Sequence, residues 1–362
     1  MQKQLEEVKN KARISATGFA VDSKSSKFKL FNFTRHPLGE KDILIEILYA
    51  GICHSDIHSA RSEWGEGIYP MVPGHEIAGK VIAVGEKVKK FKVGDYAGVG
   101  CMVNSCKECE ACKSSQEQFC ENGKTVFTYN CLDYFHGDEP TYGGYSNNIV
   151  VDEDFAVTVP QNAPLEKVAP LLCAGITTYS PLKFSKIGKG SKVGVAGFGG
   201  VGVMAVKYAL KMGAEVFVFA RNENKKDEAL KMGVKALYTT DKLGEVKEKF
   251  DLILSTIPTA YEPMDYVNLL KYEGELAIVG LPPTQDCPSI NIKSLVFSAG
   301  KKVYGSLIGG MKETQEMLDF SLANEIYPET ELISVNQIDE AYDKLTSGRA
   351  KFRYVIDMKS LK

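Results

Sequence analysis

The chain has 362 residues, 44% of them hydrophobic and 25% charged, with a formal net charge of -2. That length suits about two domains, and the near-neutral balance excludes the basic excess of nucleic-acid and membrane-surface binders. No apolar run approaches the ~18 residues of a membrane span, so a cytoplasmic protein with a small-molecule ligand is expected.

The opening MQKQLEEVKNKARISATGFA carries charges throughout and lacks the apolar centre of a secretory signal. Up to about Pro160 the chain is rich in glycine. Its short β-type runs, Ile43–Tyr49 and Lys80–Val84, are divided by turn signals such as VGEKVKKFKVGD. The pattern predicts an irregular, mostly β domain.

Within this part lies CKECEACKSSQEQFC, which sets Cys106, Cys109, Cys112 and Cys120 in a C-x2-C-x2-C-x7-C spacing. Four thiolates on one loop can close a tetrahedron around zinc, and an all-cysteine set leaves no open position, which marks a structural site. A disulfide pair and a four-cysteine iron–sulfur cluster are the alternatives. The odd total of nine cysteines argues against a secreted disulfide framework.

From about Pro164 short apolar strands alternate with helical spacing: strand Lys192–Ala196, helix Val201–Lys211, strand Glu215–Phe219, then strands Asp251–Ser255 and Glu275–Val279. This is the signature of βαβ units and a parallel sheet. Gly197-Phe198-Gly199-Gly200-Val201-Gly202 follows the first of these strands and opens the helix, the context in which G-x-G-x-x-G binds a dinucleotide. The missing side chains let the backbone approach a pyrophosphate at a helix N-terminus. At the end of the second strand, where a carboxylate would hold a ribose 2′-OH, the chain carries Arg221, with Lys225 and Lys226 close behind. A guanidinium binds a 2′-phosphate bidentately, so NADP(H) is expected, with Glu223 as the rival ribose ligand. A helix over Lys312–Ala323 and a strand over Tyr354–Asp357 close the chain.

Cys53 and Asp56 in GICHSDIH, His75 and Glu76 in PGHE, and Cys173 in LLCAGITTYS are scattered, and spacing alone assigns them nothing. The motifs GICHSDIH, YPMVPGHEIAG, the four-cysteine loop, PTYGGYS, LLCAGITTYSPL, GFGGVG and SLIGGMKETQEMLDF together resemble the zinc-dependent medium-chain dehydrogenases, in particular the cinnamyl alcohol dehydrogenases, over nearly the whole chain. The resemblance implies an α/β protein. A GroES-like, mostly β catalytic domain would comprise residues 1–162 and 309–362. A Rossmann domain with a doubly wound parallel sheet would comprise residues 163–308 and bind NADP.

The resemblance also implies two Zn2+ per chain, one catalytic and one structural. Cys53, His75 and Cys173 would hold the catalytic zinc, with Glu76 able to approach it and Asp56 orienting His75. Ser55 and His58 would form a proton relay. His54 and Thr177 would contact the cofactor, and Trp64 and Phe127 would line the substrate pocket. The implied reaction interconverts primary alcohols and aldehydes of aromatic or cinnamyl type, with broad specificity, by hydride transfer to a zinc-polarised carbonyl. The implied assembly is a homodimer through the Rossmann sheet edge near residues 295–305.

Cys131 stands where plant members tend to carry an aspartate linked to proton transfer, so the relay would run only through Ser55, ribose and His58. No role is assigned to Cys101, Cys131 or Cys287. The rival readings are a medium-chain reductase of a conjugated C=C or iminium bond, which the complete ligand set disfavours, and a non-catalytic zinc- and dinucleotide-binding redox sensor, which the charge disfavours.

Overall fold

The computed structural model describes residues 1–298, 300–350 and 352–361, and its chain divides into two compact units. The first comprises Met1–Cys173, Gly310–Leu322 and Tyr327–Lys362; the second comprises Ala174–Gly309 and Ala323–Ile326. Residues 163–173, expected in the nucleotide domain, therefore pack with the first unit, and Gly309 and Ala323–Ile326 with the second.

The first unit is built on a seven-stranded sheet whose long central strand, Asp42–Gly51, pairs antiparallel with Ile77–Val84 on one side. Its other edge takes Asn148–Asp152 along one half and Arg353–Asp357 along the other. The aliphatic run Ile43, Leu44, Ile45 and Ile47 is buried on both faces, which explains why this strand reads as continuously apolar rather than alternating. The expected strand Ile43–Tyr49 gains one residue at its start and two at its end, and Lys80–Val84 gains three at its start.

The second unit holds a six-stranded parallel sheet. In chain order its strands are Lys192–Ala196, Glu215–Ala220, Ala236–Thr239, Phe250–Ser255, Leu270–Ile278 and Lys302–Gly305. They lie in the spatial order 3-2-1-4-5-6, the doubly wound order of a Rossmann sheet. Strand Lys192–Ala196 falls as the spacing predicts, and the helix after it runs Gly200–Lys211. Phe217, Phe219, Phe250 and Tyr266 meet edge to face in its core, an arrangement that adds to the burial of their area. Among the described residues no helix is long and apolar enough to cross a membrane.

Candidate active site

Chain direction builds the first metal site. Cys53 ends the central strand's continuation and N-caps the helix His54–Ala60. Asp56, at the third position of that helix, accepts from the Cys53 N–H at 2.9 Å and so closes the cap. The same carboxylate accepts from the Gly74 N–H at 3.1 Å, from His75 Nδ1 at 2.9 Å and from the Tyr145 hydroxyl at 3.1 Å. Asp56 is fully buried, and these four donors offset its desolvation. Holding the proton on Nδ1 fixes the tautomer and turns His75 Nε2 into a free donor atom.

One donor atom from each of Cys53, His75, Glu76 and Cys173 lies within 4.8 Å of all the others, and all four residues are buried. The two sulfurs stand 3.8 Å apart. Zn–S bonds of about 2.3 Å at a tetrahedral angle place two sulfurs about 3.8 Å apart, so the thiols are already spaced for zinc. The hydrogen bond with Cys173 holds the Cys53 thiol well below its ordinary range, against the effect of burial. Burial lowers His75, yet Asp56 holds it well above the usual imidazole range.

Glu76 bonds Arg353 from the closing strand through Oε1, while its Oε2 is buried without a hydrogen-bond partner. Burial pushes this carboxyl up and Arg353 opposes it. Such a carboxylate has an uncommitted oxygen beside three metal donors. Nothing local in the sequence points to Arg353.

Ser55 Oγ lies 3.6 Å from the Cys53 sulfur. His58, on the same helix, bonds Glu63 through Nδ1 at 2.5 Å and leaves Nε2 buried without a partner. His58, expected in a proton relay, is thus bonded to Glu63, a residue given no role from the sequence, while the Cys131 thiol turns to the Leu132 carbonyl. Trp64 stacks on His58 with centroids 4.8 Å apart, and the Tyr129 ring lies over His75. Phe127, half-buried, ends a two-residue strand. His54 is half-buried at the start of the helix, and burial lowers its imidazole. Cys101 neighbours the site through a hydrogen bond with Cys173 that lowers its thiol.

The four-cysteine loop closes separately within the same unit. Cys106, Cys109, Cys112 and Cys120 each bring a sulfur within 4.8 Å of the rest, and Cys106 and Cys112 stand 3.7 Å apart. Cys109 caps the short helix Glu110–Lys113. Backbone N–H groups of Cys109 and Cys112 reach the sulfurs of Cys106 and Cys109 at 3.4 and 3.5 Å, as donors that stabilise thiolates. All nine cysteines are free, so the disulfide alternative is not realised.

In the second unit Gly197 takes φ +94, and a Cβ on Gly202 would stand 2.0 Å from the Gly197 carbonyl oxygen. Both positions require glycine. The helix Gly200–Lys211 makes its first bond from Val203 N–H to Gly199 O, leaving the preceding N–H groups open to an anion. Arg221 follows strand Glu215–Ala220 directly and is exposed. Its neighbour two residues back, Phe219, accepts from the Gly197 N–H at 2.9 Å, which ties the strand end to the glycine turn. Lys225 Nζ reaches the Phe198 carbonyl at 3.5 Å, whereas Lys226 pairs with Glu223 at 3.1 Å. Glu223, the rival ribose ligand, thus shares an exposed ion pair with Lys226. Thr177 is half-buried in helix Ala174–Phe184.

Residues 39–161 match the alcohol dehydrogenase GroES-like domain, and residues 200–323 match the zinc-binding dehydrogenase family. A probable formaldehyde dehydrogenase of Bacillus subtilis is 46% identical over 345 residues, 94% of this chain and 97% of that protein. Cinnamyl alcohol dehydrogenase 2 of Rauvolfia serpentina is 43% identical over 351 residues, 95% of each chain. The CAD of Helicobacter pylori, solved with NADP(H), is 64% identical and superposes with a TM-score of 0.92 over 96% of this chain and 99% of its own.

Proposed function

The chain belongs to the zinc-binding alcohol dehydrogenase family, and on that premise we propose that it interconverts primary alcohols and aldehydes with NADP(H), taking aromatic and cinnamyl-type substrates with broad tolerance. The observation that carries the reading is the three-donor set Cys53, His75 and Cys173, sulfur-spaced for zinc, with the Glu76 carboxylate beside it. Zinc held there supplies a Lewis acid that polarises a carbonyl, and NADPH supplies the hydride.

The chain's own residues do the remaining work. Asp56 keeps the His75 proton on Nδ1 and so keeps Nε2 available. Arg353 holds Glu76 beside the donors, which lets that carboxylate respond to changes in ligation. Ser55 hands a proton to the reacting oxygen, the cofactor ribose links Ser55 to His58, and Glu63 stands behind His58. Trp64 and Phe127 supply the apolar walls of the substrate pocket, and such walls discriminate weakly between substrates. Names among the relatives that range from formaldehyde to cinnamyl alcohol fit that tolerance.

His54 and Thr177 approach the cofactor, Gly197, Gly199, Gly200, Val201 and Gly202 cradle its pyrophosphate, and Arg221, with Lys225 and Lys226, takes the 2′-phosphate. Cys106, Cys109, Cys112 and Cys120 hold the structural zinc. The catalytic domain takes the first unit and the nucleotide domain the second, which moves the boundary expected at residue 162 to Cys173. A cytoplasmic homodimer completes the proposal. Its support is the edge strand Lys302–Gly305 and the exposed Ile292, Val296 and Phe297 on the helix Ile292–Phe297; Ala299 of that edge lies outside the described residues.

The test is the initial rate of cinnamaldehyde reduction with NADPH and NADH side by side, together with zinc counted per chain. NADPH favoured at least about tenfold, with two zinc ions, is expected. NADH favoured would overturn the assignment of Arg221, and one zinc with no turnover would overturn the enzyme reading.

A further inference from the structure

The loop NCLDYFHGDEP folds as a small hairpin, Leu132–Asp133 against Glu139–Pro140, and carries chemistry the dehydrogenase reaction does not use. Across from it stands His36, just beyond the strand Lys29–Arg35. His36, Asp133 and His136 each bring a donor atom within 4.8 Å of the other two. They line a cavity of about 50 Å3 together with Thr34, Thr128 and Tyr142, room for an ion and its water. We propose that these three side chains form a third metal site, for a divalent first-row ion of the zinc class, with water completing the coordination.

The donor types support that class. Two imidazoles and one carboxylate suit zinc, nickel, copper and ferrous iron rather than calcium or magnesium. His36 Nδ1 lies 2.9 Å from the Pro37 carbonyl, an oxygen that can only accept, so Nδ1 carries the proton and Nε2 is the open nitrogen. Asp133 is anchored by the Phe135 N–H at 3.0 Å and reaches His136 Nδ1 at 2.7 Å. Asp42 lies 3.7 Å from His36 Nδ1 and adds a second negative charge. The neighbouring Arg35 does not compete for Asp133, because its guanidinium is spent on the carbonyls of Tyr142, Gly143 and Asn148 and on the Ser146 hydroxyl.

The two imidazoles lie face to face, 3.6 Å apart and within 4° of parallel. Their in-plane lone pairs therefore run side by side rather than converging. Ligation turns the His136 ring out of the stack, a movement open to a half-buried side chain on a hairpin turn. Bonds of about 2.0–2.2 Å then pin the hairpin to the end of strand Lys29–Arg35.

The holoenzyme, carrying its resident zinc, is titrated with cobalt(II) while absorbance and total metal per chain are followed. One additional cobalt per chain is expected, with a spectrum lacking thiolate charge transfer. His36→Ala and His136→Ala each weaken that uptake at least tenfold, and Asp133→Asn weakens it too, while resident zinc is unchanged. Cobalt also raises the melting temperature of the parent protein and not of the histidine variants. His36→Gln and His136→Gln stand in if an alanine variant unfolds. Uptake unchanged in the histidine variants, a thiolate band pointing to Cys287 or to displaced zinc, or no uptake with cobalt in excess would each overturn the proposal. None of these outcomes touches the dehydrogenase reading, which is assayed by turnover and resident zinc.

Discussion

Asp56→Asn is the most informative single change, because it removes one oxygen and a charge without changing size. As a carboxylate, Asp56 accepts from Cys53 N and Tyr145 Oη on one oxygen and from Gly74 N and His75 Nδ1 on the other. Asparagine must place its NH2 on one side. Turned toward His75, it leaves the Gly74 N–H orphaned and invites His75 to accept at Nδ1, which puts the proton on the nitrogen zinc needs. Turned toward Cys53, it orphans that N–H, while Tyr145 can rotate to accept; this orientation is the cheaper. The loss is then one buried unsatisfied donor, about 1–3 kcal/mol, plus weakened charge-assisted bonds at His75 and Gly74 of similar size. Destabilisation of about 2–6 kcal/mol in urea unfolding follows, with zinc affinity at the catalytic site down about 10–100-fold. Unfolding is measured on the fully metallated protein, and affinity by competition with a chromophoric chelator. Stability within about 0.5 kcal/mol of the parent together with unchanged zinc affinity would refute the role given to Asp56.

Arg221→Ala lowers kcat/KM for NADPH about 10–100-fold, the worth of one charge-assisted contact, and leaves NADH nearly untouched; steady-state kinetics with both cofactors decides it, and equal losses would contradict the phosphate assignment. Gly202→Ala sets a Cβ 2.0 Å from the Gly197 oxygen, so cofactor binding followed by fluorescence falls more than about tenfold while both zinc ions remain. Cys53→Ser abolishes turnover and keeps the four-cysteine zinc, whereas Cys120→Ser leaves one zinc per chain and lowers the melting temperature; full activity in the first would sink the site. Glu63→Ala lowers kcat about 10–100-fold without changing NADPH affinity, and an unaltered kcat would remove Glu63 from the relay.

The parallel sheet was legible because its strands are short, apolar and separated by helical spacing, and because the glycine pattern lies between a strand and a helix. The strand Leu270–Ile278 is longer than its sequence signal, Glu275–Val279. Its first half carries Lys271, Glu273 and Gly274, and Glu273 sits at φ +60 beside a register shift, so polarity hides the pairing. The four-cysteine loop announced itself by local spacing. Cys53, His75 and Cys173 did not, since only the folded first unit brings them together, and they were reached through resemblance. Arg353 and Glu63 escaped for a related reason. The Glu76–Arg353 contact spans 277 positions, and Glu63 becomes a partner of His58 only once the turn after helix His54–Ala60 is formed. The N-terminal helix Gln2–Lys9 also went unread; its apolar face is only Leu5 and Val8, half-buried against Ile14 and Leu44 beside the buried Gln4, too short a stripe to stand out among the charges.

The pairing of strand Arg353–Asp357 with strand Asp42–Gly51 bears on how the molecule comes into being. On a ribosome adding ~5–20 residues per second, roughly 300 residues of chain separate the two strands, a delay of about 15–60 s. By the end of that interval the metal donors and the whole nucleotide unit have been made, while Glu76 still lacks the Arg353 guanidinium. The sheet that carries the metal donors therefore closes only after the nucleotide unit has been made, and until Arg353 arrives the buried Glu76 is open to a misplaced cation.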